Sequence, residues 1–304
     1  MLGYIVRRFV IAAIAIFVLA TVTFFLMHLV PGDPFAGPRV APEIRAALRA
    51  YYGLDKPLAE QYIVYMVNLI HGDLGLSLAS RGHEVTSIIA IAAPVSLDLG
   101  IRAMIISILF GLAFGIVAAL NRGTALDYLT VVLVLIGISV PSFVLAGLLQ
   151  YYLGVYFRLL PIARYETFRH TIMPAFALSL GTMATIARYM RSSMLEVVNA
   201  DYIKTAFAKG LRPYQVVLRH QVRNALFPVL TILGPAVASV LTGSFVVETV
   251  FAIPGLGRYF VTAMQNLDYT LVMGLTIFFG AFLIGMNFLV DLAYGLIDPR
   301  IRNS

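Results

Sequence analysis

Residues 9–30 read FVIAAIAIFVLATVTFFLMHLV, 22 positions in which His28 is the only ionisable side chain. A helix rises about 1.5 Å per residue, so about 20 such residues cross the hydrocarbon core of a bilayer. Arg7 and Arg8 precede the run, and Pro31-Gly32-Asp33-Pro34 stops it. A secretory core is only about 7–15 apolar residues long and ends in a small-residue cleavage site. The expectation is therefore an uncleaved first membrane helix that starts in the cytoplasm.

The composition agrees with that reading. Of 304 residues, 60% are hydrophobic and 12% charged, and the mean hydropathy is +0.90. A soluble domain holds about 45–50% apolar and about 25% charged residues. The excess apolar surface needs lipid as its solvent. The net charge of +7 would raise nucleic-acid binding for a soluble protein, but in a membrane chain Lys and Arg collect in cytoplasmic loops. No nucleic acid is expected as a partner. The chain has no cysteine, which excludes disulfides, cysteine-ligated zinc and thiol catalysis, and no tryptophan.

Six stretches reach spanning length: 9–30, 99–120, 128–155, 172–189, 226–251 and 271–296. Starting inside, they place the segments 31–98, 156–171 and 252–270 outside. The inside segments then hold eleven Lys and Arg and the outside segments nine, five of these in the one long outer segment. Long loops translocate regardless of charge, so both termini are expected in the cytoplasm.

The outer segment 31–98 is expected to contain two short helices. Pro42 opens the first and Gly53 closes it. Pro57 opens the second, where Leu58, Tyr62, Tyr65, Met66 and Leu69 form a stripe suited to packing on the protein's own helices or on the membrane surface. The chain shows no internal repeat and is expected to form a single transmembrane domain. Several spans carry breakers: Pro141 within Ser139-Val140-Pro141-Ser142, Pro174 opening the fourth, Pro228 and Pro235 in the fifth. A proline removes a backbone bond, and in lipid the freed carbonyl needs a protein or water partner. A helix lining a cavity is one reading and plain architecture the other. Gly111 and Gly115 suit close helix packing.

The cytoplasmic loop 190–225 is expected to be ordered. Asp201 is placed to cap a helix running through Lys209, and Gly210 to end it in a left-handed conformation. Pro213 then starts a second helix that leads into the fifth span. Gly123, in the short loop 121–127, is expected to tolerate a β-branched residue.

Asp201-Tyr202-Ile203-Lys204-Thr205-Ala206-Phe207-Ala208-Lys209-Gly210 resembles the coupling-loop signature of permease subunits of binding-protein-dependent ABC importers, in the oligopeptide/dipeptide/nickel branch. The general family pattern, Glu-Ala-Ala followed by Gly, is met here by Lys204-Thr205-Ala206 with Gly210 kept; the Glu is absent and its role is not carried over. Pro31-Gly32-Asp33-Pro34, His71-Gly72-Asp73-Leu74-Gly75-Leu76-Ser77, Arg191-Ser192-Ser193-Met194-Leu195-Glu196-Val197, Glu248-Thr249-Val250-Phe251 with Pro254-Gly255-Leu256-Gly257, and Asp298-Pro299-Arg300-Ile301-Arg302 extend the resemblance along nearly the whole chain. Pro34-Phe35-Ala36-Gly37, the short 156–171 loop, Gly234-Pro235-Ala236 and Thr242-Gly243-Ser244 look more like the oligopeptide member.

The resemblance implies an all-α integral membrane protein of six helices with the type I ABC importer permease fold. It implies a second homologous permease, two ATP-binding subunits and an extracytoplasmic substrate-binding protein as partners, in a bacterial inner membrane. It also implies that Asp201, Thr205, Ala206, Lys209 and Gly210 belong to a helix that docks on an ATPase. ATP and magnesium would be bound by those partner subunits, with no cofactor in this chain, because no Gly-x-x-x-x-Gly-Lys-Ser/Thr phosphate loop is present.

Ser139, Ser142, Thr242, Ser244 and Glu248 are the candidates for lining a pathway. Glu248 has three readings: facing a peptide's amino terminus, pairing with Arg258, or bracing the loop that follows. Asp98 and Arg102, four apart, are expected to satisfy each other. Asp291 is a further ionisable residue in a span, where charge is costly and marks function by default. The five histidines are scattered, so no metal site is expected. A self-sufficient secondary transporter or channel is the competing class.

Overall fold

The computed structural model describes residues 2–35, 42–80, 82–241 and 245–297, and of 2–5, 238 and 290–297 the backbone alone. Among the described residues the chain is helical, with one isolated bridge between Leu76 and Glu84. The helices are α1 (Leu2–Leu29), α2 (Pro42–Tyr51), α3 (Leu58–Ile70), α4 (Val85–Leu120), α5 (Ala125–Ser139), α6 (Ser142–Leu149), α7 (Phe168–Val198), α8 (Asp201–Ala208), α9 (Pro213–Val216), α10 (Arg223–Leu241), α11 (Phe245–Val250), α12 (Leu256–Gln265) and α13 (Tyr269–Ile297). Two π-helical stretches, Gln150–Tyr156 and Val217–Val222, continue α6 and α9. Among the described residues five helices are long and apolar enough to cross a membrane, and the bent pair Ala125–Ser139 and Ser142–Tyr156 makes a sixth if it crosses as one span.

The chain forms two compact units, Met1–Val95 with Gly255–Ser304, and Ser96–Pro254. The core of the first joins Val85, Ile88, Ile89, Ala92 and Ala93 to Leu256, Ala263, Leu271, Val272 and Leu275. The stripe on α3 packs on α1: Phe24 meets Tyr62 at 5.3 Å and Tyr65 at 5.4 Å between ring centroids, and Thr21 Oγ1 lies 2.8 Å from the Tyr62 hydroxyl. Fully buried Asp268 caps α13, accepting from the Leu271 amide at 3.1 Å. It also accepts from the Ser77 hydroxyl and from the amides of Leu78 and Ala79, which ties the 77–80 turn to that helix.

The second unit is built on α7. Ile186, Met190 and Met194 pack with Ala119 of α4 and with Ala225 and Val229 of the α10 segment. Gly111 and Gly115 form the close α4–α7 contact that their spacing predicts. A Cβ at Gly115 would stand 2.6 Å from Met190 Cβ and 2.7 Å from the Ala187 carbonyl oxygen.

Several helix limits differ from those expected. The span sought at 99–120 begins at Val85 and carries Pro94 inside, so the outer segment ends earlier than residue 98. Burial of Val85, Ile88 and Ala92 in the first unit's core outweighs the cost of one proline. The span sought at 172–189 extends from Phe168 to Val198, with Pro174 inside it and not at its start. Its C-terminal extension buries Met190, Ser193 and Met194 and anchors Arg191. Pro141 breaks the span sought at 128–155 through 103° instead of kinking it. The span sought at 226–251 holds α10 and α11, and α10 continues without a break from α9 and its π-helical stretch, as the expected helix from Pro213 into this span requires.

Candidate functional site

The loop between α7 and α10 carries α8, and two side chains hold that helix down. Ile203 and Ala206 are buried with Val216, and half-buried Val197, Ala200 and Leu211 close around them. Asp201, Tyr202, Lys204, Thr205, Phe207, Ala208 and Lys209 face outward and are exposed. The helix thus offers two aromatic rings and two ammonium groups on its free face.

Asp201 does not cap this helix. The N-cap is Ala200, in extended conformation with no side-chain cap, and Asp201 is the first helical residue. Its carboxylate takes Lys204 Nζ at 2.8 Å in place of a backbone amide, and its carbonyl accepts the Thr205 hydroxyl at 3.0 Å. A negative charge in the first turn still complements the helix dipole. The C-terminal end is as the sequence predicts: Gly210 has φ +77°. The Gly210 amide donates to the Phe207 carbonyl at 2.9 Å and the Leu211 amide to the Ala206 carbonyl at 3.4 Å. That is the Schellman arrangement, completed by Leu211 folding back on the buried face. Of the five residues assigned to this helix by resemblance, Ala206 points inward and the other four are exposed.

The break at Pro141 opens a cavity of about 520 Å³ within the second unit. Gly137, Val140, Pro141 and Ser142 form one wall, Leu178, Gly181 and Thr182 another, and Ser239, Phe245 and Val246 a third. Irregular backbone at membrane depth is tolerated where it lines a cavity. Of the candidate pathway residues, Ser142 lines this space, whereas Ser139 is exposed and outside its lining. Thr242 and Ser244 lie outside the described residues. Glu248 is fully buried and accepts the Ser96 hydroxyl at 2.8 Å, while its carbonyl takes the Ile253 amide at 2.8 Å. The side-chain bond ties Glu248 to α4, and the backbone bond closes the turn that follows α11. Only the backbone of Asp291 is described.

Three polar connections reach beyond what sequence reading finds. Arg191 grips buried Asp127 through two bonds of 2.6 and 2.9 Å, and the Gly123 amide donates to the same carboxylate at 3.0 Å. This pins the start of α5 to the end of α7. Asp98 and Arg102 pair as expected, at 2.7 and 2.8 Å, but Asp98 also accepts the Tyr165 hydroxyl, and Arg102 lies 5.1 Å from the Phe168 ring centre. Burial first, and then the bond to Asp98, push the Tyr165 phenol up to about 12. Asp268, described above, is the third. An acid at the mouth of a span is the available signal for Asp127 and Asp268.

These features define a multi-pass helical membrane protein with a short, exposed helix held between two long ones. The chain belongs to the family of binding-protein-dependent transport system inner membrane components, whose model matches residues 111–303, with the model of the N-terminal part matching 1–84. It is 47% identical over 303 residues to the dipeptide transport system permease protein DppB of Bacillus subtilis (strain 168), covering 99% of this chain and 98% of that one. It is 42% identical over 305 residues to the oligopeptide transport system permease protein OppB of Haemophilus influenzae, and 41% to OppB of Escherichia coli (strain K12), covering 99% of this chain and all of each relative. Among solved structures it resembles a chain of the inward-facing MetNI methionine ABC transporter, with a TM-score of 0.52 over 70% of this chain and 95% of that one. At 17% identity this likeness speaks for the fold alone, the helical permease fold that the sequence predicts. The chain is the membrane component of a binding-protein-dependent importer.

Proposed function

We propose that this chain forms half of the translocation pathway of an ATP-driven peptide importer and transmits the ATPase cycle through α8. The observation that carries this reading is the construction of α8. It is anchored by Ile203 and Ala206, terminated by Gly210, and otherwise exposed, with Tyr202, Lys204, Phe207 and Lys209 outward. A carrier that works alone has no use for a rigid outward-facing helix there, which disfavours the competing secondary transporter.

In this reading a second, homologous permease completes the membrane part. Two ATP-binding subunits hold ATP and magnesium, and an extracytoplasmic binding protein delivers the cargo. Closure of the ATPases moves α8, the spans open outward to receive peptide, and hydrolysis resets them. Relatives named for dipeptide and for oligopeptide transport both support peptide cargo; the likenesses at Pro34-Phe35-Ala36-Gly37 and Gly234-Pro235-Ala236 favour the longer peptides. Both termini and α8 lie in the cytoplasm, and the cavity at Pro141 belongs to the pathway.

Reconstitution tests the class. Assembled with its partners, the chain takes up peptide only with ATP. Purified alone in liposomes it moves no peptide under a proton or sodium gradient, and gradient-driven uptake would overturn the reading. Single cysteines in this cysteine-free chain test orientation: an impermeant outside reagent reaches position 80 and misses position 212.

A further inference from the structure

A second cavity of the Ser96–Pro254 unit, about 690 Å³, lies where the chain leaves the α8 loop for α10. Its walls are of two kinds. Leu211, Leu218, Val222 and Leu226 are apolar; Arg219, His220 and Arg223 are basic, and among the described residues no acid lines it. Neither arginine forms an ion pair among the described residues. Both guanidinium groups are exposed, and like charges one turn apart repel by a few tenths of a kcal/mol, a cost that a bound anion would remove. Leu218 is 63% exposed, and Tyr214 and Phe227, on either side in sequence, are 57% and 52% exposed. Apolar side chains so exposed at the mouth of a spanning helix are at home against acyl chains and not in water.

We infer that this cavity is a binding site for an anionic phospholipid, with Arg219 and Arg223 on the headgroup phosphate and Leu218, Val222 and Leu226 along the acyl chains. The chemistry recognised is a phosphate oxyanion. A free phosphate would satisfy the arginines but leave the leucines in water, so the lipid is the better fit. Arginine suits the task because its planar fork can bond two phosphate oxygens at once. Basic pockets beside membrane helices hold lipid headgroups on the same principle. The site adjoins α8 through Leu211, which lines the cavity and packs on Ile203 and Ala206, so a bound lipid would buttress that helix. The inference does not depend on peptide cargo or on which membrane face carries the loop.

Native mass spectrometry of the detergent-solubilised chain, titrated with phosphatidylglycerol, phosphatidylcholine or inorganic phosphate, tests it. The wild type should prefer phosphatidylglycerol to phosphatidylcholine. Arg219→Gln/Arg223→Gln should weaken phosphatidylglycerol about tenfold to thirtyfold, as loss of two basic contacts predicts, and leave phosphatidylcholine unchanged. Lys56→Gln/Arg164→Gln, with the same change of charge, should alter neither. Equal affinity of the wild type for the two lipids, a reading independent of how the variants fold, overturns the site. So does a double variant that keeps its phosphatidylglycerol affinity, and if that variant, co-purified with its partners, also loses ATPase subunits, the cavity is a protein-docking face instead. Saturation of the wild type by inorganic phosphate, with loss of lipid binding, would assign a free-anion site instead.

Discussion

Two regions of the Ser96–Pro254 unit use a charged pair and a glycine for opposite purposes. At the α4–α5–α7 contact, Asp127 is buried under Arg191, and Gly115 is required because Met190 and the Ala187 carbonyl leave no room for a side chain. At α8, the Asp201–Lys204 pair is exposed, and Gly210 has open space around it. A Cβ there would meet nothing within 4 Å, so the requirement is the φ of +77°. The first region is set by packing inside this chain. The second leaves its outer surface exposed to solvent, as the proposed docking on another subunit requires. Function and stability should therefore separate between the two under mutation.

The largest effect belongs to the buried pair. Asp127→Ala leaves the Arg191 guanidinium without its counter-charge, which costs about 3 kcal/mol, the low end for a buried pair, because Arg191 keeps 29% of its side chain in solvent. The purified chain in detergent should melt at a markedly lower temperature. Asp127→Leu/Arg191→Met should recover part of the loss, and an additive double variant would contradict the buried-pair account. Gly115→Val comes next, at about 1–3 kcal/mol of overpacking, read as lower yield and melting temperature.

Gly210→Val is smaller in stability and sharper in function. A β-branched residue in the left-handed region carries about 1–2 kcal/mol of strain. Gly123, expected to be a permissive loop glycine, has φ +79° and so meets the same strain; it becomes a matched control instead of a neutral one. Both variants should lose similar stability, and the Gly210 variant alone should lose ATP-coupled uptake and the stimulation of ATP turnover by loaded binding protein. Equal transport by the two would remove α8 from the coupling role.

The smallest effect concerns pH. Tyr165 is raised in the folded protein, to about 12 from an ordinary value near 10. A raised folded value means the protonated phenol is favoured by folding, so its contribution is complete below about pH 10 and lost as pH rises through 12. Melting temperature between pH 6 and 9 should be unchanged by Tyr165→Phe in slope, and the two proteins should converge only above about pH 10. A slope difference near neutrality would contradict the half-buried bond to Asp98.

Much is decided by the sequence alone. Long uncharged runs such as 9–30 fix a membrane protein, because no other solvent accepts them. The spacing of Gly111 and Gly115, the i,i+4 pair Asp98–Arg102 and the stop at Gly210 are legible because each depends on neighbours within one helix or turn. Tertiary structure decides what depends on distant partners. Asp127 and Arg191 stand 64 residues apart and Asp268 190 from the Leu78 amide it holds, and no local pattern joins them. The N-terminal reach of α4 past Pro94 rests on a core drawn from the other end of the chain. Asp201 reads as a cap in the sequence because its residue type favours that position. The structure gives it instead to Lys204, since the extended Ala200 starts the helix one residue earlier than the side-chain preference alone implies.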